Sequence, residues 1–375
     1  MFSQQTKTFL YALAVLSNTT IGVGMFSLPY IAAHAGLPVM MVYFLLLGIA
    51  VTIIHLKFAD VALKTPDYKR LPGFAKHHLG IKAELIISIC TIVSGLAASV
   101  IFMTIGGQFL YSLVSPSWGG PIDLYVLIYL LAGSFFIFFG INIVQKIAFW
   151  GLILFLATMA VLIWNFAPYF NVANLAAPSG GMQNIFLPYG PILFALWGAG
   201  SIPEVEEILG RGHLKSKFKT VIILSSFLAV AIYSIFCITV VGFTGSATTP
   251  SALTGFANFF DGIILKAAFL FGLLGTFTSF VIGGLTLKKI LHYDLNFSKQ
   301  AAWVITIFVP LILYFAGLNN FLAVISFIGA VILGIEGITI LLIYQKVFPK
   351  KKILAYPLQI LLMAGIIYEI FFFSK

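Results

Sequence analysis

Two stretches decide the reading of this chain. Residues 17–30 read SNTTIGVGMFSLPY, and residues 195–209 read ALWGAGSIPEVEEIL. Each lies inside a long apolar run. Each sets two glycines one residue apart with a proline soon after: Gly22, Gly24 and Pro29 in the first, Gly198, Gly200 and Pro203 in the second. Glycine destabilises a helix interior by about 1 kcal/mol and proline by about 3 kcal/mol. Both runs are therefore expected to be helices that unwind part-way along.

The rest of the chain says where such helices sit. Of 375 residues, 61% are hydrophobic and 9% charged, with a mean hydropathy of +1.09. A soluble domain carries about a quarter charged residues. An unpaired backbone group in lipid costs several kcal/mol, so an apolar chain of this kind crosses the bilayer as helices. The hydropathy predicts eleven spans, near 8–34, 37–59, 80–113, 122–142, 146–168, 187–209, 219–243, 259–286, 299–316, 319–346 and 353–373. The longer ones, such as the third, are expected to tilt. The first apolar stretch, from about Thr8 into Tyr30, has no small-residue cleavage pattern and is expected to be retained.

Lys and Arg positions orient the spans. With the N-terminus in the cytoplasm, nineteen of the 21 basic residues fall inside, and only Lys266 and Lys375 fall outside. The C-terminus is then external. The net charge of +10 is thus a topology signal, spread in short clusters between spans, rather than a nucleic-acid face. The connections near 61–79, 169–186 and 244–258 are too short for a soluble domain. Cys90 and Cys237 lie inside apolar spans and read as small buried residues. His34 and His55 lie near span ends and are assigned no role.

Gly22 and Gly198 stand 176 residues apart. The block between the breaks holds five spans, an odd number, so a second copy would be inverted in the membrane. The expected division is residues 8–168, residues 187–346 and a final helix over 353–373, within one transporter domain. Paired interrupted spans in two halves point to a transporter's binding site. Half-helix N-termini suit a carboxylate, and freed carbonyls suit an ammonium group or a metal cation. Two breaks that cross near mid-membrane offer an amino acid both signs.

At these residues the sequence resembles the amino acid–polyamine–organocation superfamily, and most of all its amino acid/auxin permease and aromatic/hydroxy amino acid permease branches. The resemblance is carried by Leu16 to Pro29, by Gly198 to Pro203-Glu204 with Leu209-Gly210, and by Thr278-Ser279-Phe280 with Gly283 and Gly284. It implies an all-α leucine-transporter-like fold: a five-plus-five inverted repeat with an extra C-terminal helix. It also implies that Ile21, Gly22, Val23, Gly24 and Met25 line the substrate site, faced by Phe194, Trp197, Gly198 and Ala199. Trp197 is expected to act as a lid or side-chain wall. Helix 3, around Ser94 to Phe102, is expected to supply another wall.

The same resemblance implies a sodium site built from Asn18, Ile21, Gly275, Thr278 and Ser279. The chemistry is sound, because a hard cation takes oxygen ligands and positions i, i+3 and i+4 share one helix face. Proton coupling and coupling-free exchange stay open as alternatives, since Thr and Ser also bond back to their own helix.

Two carboxylates invite a gating or proton role. Glu336 falls mid-span between Gly334 and Gly337, where an unpaired carboxylate is costly. Glu204 follows Pro203 and is expected to meet a basic residue at an inner gate. Glu206 and Glu207 are expected to be cytoplasmic, near Arg211, rather than part of that gate.

These readings converge on secondary active symport of a neutral amino acid in the plasma membrane of a prokaryote, with sodium favoured over protons. Amino acid exchange on the same fold, or proton-coupled transport of an aromatic or hydroxy amino acid, is the alternative. An enzyme is disfavoured, because no His/Asp/Glu metal spacing, GxSxG or H-E-x-x-H occurs. A channel is disfavoured by the internal repeat. The expected partners are a small-molecule amino acid substrate and membrane lipid. Neither nucleic acid nor an obligatory protein partner is called for, and no cofactor beyond Na+ or H+.

Overall fold

A computed structural model of the chain describes residues 3–66, 69–176, 184–210, 215–318 and 320–373. Among these, nine helices are long and apolar enough to cross a membrane. They are Gln4–Ala35, Leu37–Ala62, Ile81–Trp118, Ile122–Phe139, Ile141–Tyr169, Phe218–Ala247, Gly262–Asp294, Phe321–Val347 and Pro349–Phe371. In the expected order these are spans 1 to 5, 7, 8, 10 and 11. Span 9 is the shorter helix Lys299–Phe315. Span 6 comes in two pieces, Tyr189–Leu196 and Ile202–Leu209, each too short to cross alone.

Glycines set several boundaries. Gly140 is the single residue between spans 4 and 5, at φ 82°, where any Cβ would be strained. The expected fourth span, 122–142, therefore stops at Phe139. Span 3 runs to Trp118 rather than 113. At 38 residues it is about 57 Å long, so it must tilt or project. The connection expected over 61–79 contains a helix of its own, Leu71–Leu79.

Span 8 is the central post. It packs on spans 3 and 5 and touches span 1. Small residues let it come close: a Cβ on Gly272 would lie 2.5 Å from Phe109, on Gly284 2.4 Å from Ile137, and on Gly151 of span 5 2.2 Å from Thr278. Lipid does not drive helices together by hydrophobicity, so such close fits carry much of the association. Phe26 fills the middle edge-on, with ring centroids 5.2 Å from Phe109 and 5.9 Å from Phe271. Outward-facing residues such as Leu45, Leu131 and Phe135 stay exposed, as a lipid-facing belt requires.

Candidate substrate and ion site

The two quoted stretches unwind as their glycines predict. Span 1 is α-helical from Gln4 to Thr20, extended at Gly22, a 3-10 turn over Val23–Ser27, and α-helical again over Leu28–Ala35. Span 6 ends its first half at Leu196, is extended at Trp197, makes a 3-10 turn over Ala199–Ser201 and restarts at Ile202. The breaks lie against one another. A Cβ on Gly24 would come within 3.0 Å of Ala195, and one on Gly198 within 2.8 Å of Thr20. Glycine is needed here for close approach, since neither residue has positive φ.

Tyr233 of span 7 joins the two breaks. Its hydroxyl donates to the Thr20 carbonyl at the end of the first half of span 1, and lies 2.8 Å from the Ala195 carbonyl of span 6. These are among the carbonyls that the breaks free.

A cleft opens beside the breaks. Gly22, Gly24, Phe194 and Trp197 of the two broken spans line it, as do Ser94, Gly95, Ala98 and Phe102 of span 3. It continues along span 8 past Ser279, Gly283 and Thr286, with Glu336 of span 10 on its flank. Apart from Glu336, the cleft is lined by small, hydroxyl-bearing or apolar residues.

The oxygen cluster forms behind Gly22. Ser279 Oγ donates to the carbonyl of Asn18 at 2.5 Å and to that of Gly275 at 2.9 Å. Thr278 Oγ1 donates to Asn18 Oδ1 at 2.9 Å and to Leu274 O at 2.9 Å. The Asn18 amide is held by its nitrogen, which donates to Ala14 O at 2.7 Å and to Ala148 O of span 5 at 2.8 Å. This turns Asn18 Oδ1 toward span 8. The donor set is buried, uncharged and all oxygen, which fits a monovalent hard cation better than a divalent one. Ile21 is buried and its N–H closes the helix on Ser17 O at 2.7 Å. Among the described residues no group of His, Cys, Asp and Glu is placed to hold a metal.

Glu336 is 4% exposed and fully engaged. Ser94 donates to Oε1 at 3.0 Å, and the Trp197 indole N–H donates to Oε2 at 3.0 Å. The Trp197 ring rests on Gly337, where a Cβ would sit 3.0 Å from it. On its other side His55 lies edge-on at 5.7 Å, and its Nε2 accepts the Gly198 N–H at 3.3 Å.

Residues 5–371 match the profile of a family described as the tryptophan/tyrosine permease family. The chain belongs to that family. It is therefore a membrane permease, a secondary transporter of amino acids rather than an enzyme. No curated protein matches it in sequence. Among solved structures it is similar to MhsT in complex with L-phenylalanine, at 16% identity and TM-score 0.69, covering 96% of this chain and 98% of that one. It is also similar to Mhp1, a nucleobase-cation-symport-1 family transporter in a closed conformation with bromovinylhydantoin bound. That match has 15% identity, TM-score 0.68, and coverage of 88% and 77%. A third is a manganese transporter of Eremococcus coleocola in complex with an aromatic bis-isothiourea compound, at 13% identity and TM-score 0.68, covering 99% and 89%. At these identities the likeness shows the fold, which is that of the leucine transporter.

In this permease the expected substrate residues separate into two groups. Gly22, Gly24, Phe194 and Trp197 line the cleft. Ile21, Val23, Met25 and Ala199 are buried in the packing around it, and Gly198 faces Thr20 and Leu16 rather than the cleft.

Glu204 meets a basic residue, as expected of it. Arg70, 1% exposed, donates to Glu204 Oε1 at 2.8 Å and to Glu207 Oε2 at 3.1 Å. Lys289 of span 8 reaches Glu207 at 2.6 Å. Burial works against the Arg70 charge, but Glu204 and Glu207 hold its pKa above the ordinary value. Two expectations are corrected here. Glu206 is buried at 1% and Glu207 belongs to this cluster, so neither is a free surface acid; Arg211 lies outside the described residues. His55 is not a span-end bystander but is buried against the break of span 6.

Proposed function

We propose that this permease carries an aromatic amino acid, tryptophan or tyrosine, into a prokaryotic cell by sodium-coupled symport. The substrate class is supported by the family and by the similar MhsT, whose structure holds L-phenylalanine. The coupling ion is supported by one observation above others: the buried, uncharged oxygens of Asn18, Gly275, Thr278 and Ser279 converge between spans 1 and 8. With the carbonyl of Ile21, they would supply the coordination that a sodium ion needs.

The substrate's charged end sits where the two breaks meet. Backbone N–H groups that open the Val23–Ser27 turn receive its carboxylate. Carbonyls freed at the ends of the half-helices receive its ammonium group. Sodium beside the Asn18 carbonyl ties the same break to span 8, so ion and substrate stabilise one arrangement of span 1 and bind cooperatively.

The nineteen basic residues that the sequence assigns to one side support a cytoplasmic location for that side. The N-terminus is then internal and the C-terminus external. The Arg70–Glu204–Glu207–Lys289 cluster closes the cytoplasmic side, and its breaking opens the cleft inward. Residues 8–168 and 187–346 act as the two inverted halves that rock against each other. Proton coupling is the second reading, favoured by the intramembrane carboxylate Glu336.

The test is sodium dependence in the double variant T278A/S279A. Symport predicts tryptophan uptake in wild type that rises with sodium, and a variant in which that dependence is lost. Sodium dependence identical in the two proteins would remove the site.

A further inference from the structure

Glu336 does something in this cleft that neither the fold nor the oxygen cluster explains. It is an ionisable side chain on a wall otherwise made of glycine, alanine, hydroxyls and apolar groups. Several of those hydroxyls are occupied close to home. Thr19 and Ser201 bond each other at 2.8 Å, Thr91 bonds its own helix, and Ser279 bonds Gly275 and Asn18. Glu336 instead holds an aromatic N–H: its Oε2 accepts the indole of Trp197.

We propose that Glu336 is a specificity-determining residue, whose carboxylate accepts the ring N–H of tryptophan or the ring O–H of tyrosine in the place that the Trp197 indole holds here. This rests on the aromatic amino acid reading above. Four observations carry it.

The first is the donor itself. The protein's own indole shows that this carboxylate sits in reach of an indole N–H with workable geometry. The second is where Trp197 is attached. It is the extended residue just past the end of the first half of span 6, so its side chain can turn away without unwinding a helical turn. Its ring rests on Gly337, which puts no side chain in its way. The third is the anchoring of the acceptor. Ser94 holds Oε1 from span 3, so Oε2 keeps its aim once Trp197 leaves.

The fourth is the space between. A substrate whose charged end lies at Gly22 and Ser279 has its side chain alongside span 8 toward Gly283, one helical turn from Ser279. Gly283 has open space where its Cβ would be. One turn further, the buried hydroxyl of Thr286 lies on the same wall without a hydrogen-bond partner. A ring laid past Gly283 meets a slot with a polar end.

A site built around a hydrogen bond rejects analogues that lack the donor, because the buried acceptor is then left unpaired. Trp197 softens that penalty by returning to Glu336 when phenylalanine binds. The permease should therefore prefer ring donors without excluding phenylalanine.

The experiment is equilibrium binding to purified wild type, E336Q, E336M and W197F. The ligands are tryptophan, 1-methyltryptophan (whose ring nitrogen has no hydrogen), tyrosine and phenylalanine. Wild type is expected to prefer tryptophan over 1-methyltryptophan, and tyrosine over phenylalanine, by roughly tenfold. E336M should bring both ratios close to one, with E336Q in between because its amide oxygen still accepts. W197F removes the competing donor and should widen both ratios.

Ratios unchanged in E336M, or a uniform weakening of all four ligands in E336M and W197F alike, would overturn the proposal and leave Glu336 a prop for Trp197. A shifted pH profile of uptake in E336Q with unaltered ratios would overturn it in favour of a proton carrier. If E336M does not fold, W197F decides, and unchanged ratios there overturn the proposal. Wild type that binds none of the aromatic ligands would instead sink the aromatic reading itself, before any variant is compared.

Discussion

Asn18 has both of its carbonyl oxygens in the oxygen cluster. The side-chain oxygen meets Thr278, the backbone oxygen meets Ser279, and the amide nitrogen is fixed to Ala14 and Ala148. Single alanine substitutions at Thr278 or Ser279 should raise the sodium concentration for half-maximal uptake by roughly tenfold, with a smaller effect on maximal flux. A sodium titration of initial uptake rates checks this. The glycines divide in the same way by what they face. Leucine at Gly198 would strike Thr20 and Leu16 and should lower stability by about 1–3 kcal/mol, seen as a lower melting temperature in detergent. Leucine at Gly283 enters open space. It should leave the melting temperature in place and abolish tryptophan uptake.

The residue-level signals that sequence carries are those with a local pattern. Gly275, Thr278 and Ser279 are spaced to share a face, and Gly22 and Gly24 are spaced to break a helix. Tyr233, His55 and Arg70 have no such pattern. Each acts through a partner more than a hundred residues away in the chain: Tyr233 with Thr20, His55 with Gly198, Arg70 with Glu204. The only cue was a polar side chain inside or beside an apolar run. For Glu336, position between two glycines in mid-span was enough to single it out, but its partners Ser94 and Trp197 come from two other spans.

At the scale of elements, the apolar runs located the nine helices long and apolar enough to cross a membrane among the described residues, and the shorter Lys299–Phe315, because length and hydropathy are properties of a segment by itself. Ends were less legible, since they depend on turns such as Gly140 and on π-helical widening. Span 8 ends in such a π turn, Ile290–Asp294, and span 10 contains another over Ile328–Ile332. The cluster linking the segment before Leu71–Leu79 to spans 6 and 8 is a property of several elements together. Removing Arg70 by R70A would leave Glu204, fully buried, and Glu207 with Lys289 as the charged partner they share, at 3.8 Å and 2.6 Å. Breaking a buried pair in this way costs about 3–5 kcal/mol. The loss falls on the state in which this end is closed, so R70A should shift the molecule toward the state open at this end. Cysteine labelling at Ser94 or Thr286 from the basic face should then speed up relative to the same cysteine in an otherwise unchanged chain. Equal labelling rates would show that the cluster does not close that end.

At the scale of the whole molecule, the two broken spans, the oxygen cluster and the cleft form one device. Span 1 contributes to all three: its break meets span 6, its Asn18 meets span 8, and its glycines line the cleft. In the proposed symport, ion and substrate would bias the same element and so couple their transport. The Y233F variant tests whether the breaks move as a pair. It loses the hydroxyl that touches both, and should weaken substrate binding while leaving helical content unchanged by circular dichroism.

The most direct measurement is uptake of labelled tryptophan into proteoliposomes with sodium and proton gradients imposed separately. The account predicts accumulation driven by an inward sodium gradient at equal pH on both sides, lost in T278A/S279A. Accumulation that needs only a proton gradient, or that appears only when the vesicles are preloaded with amino acid, would contradict it.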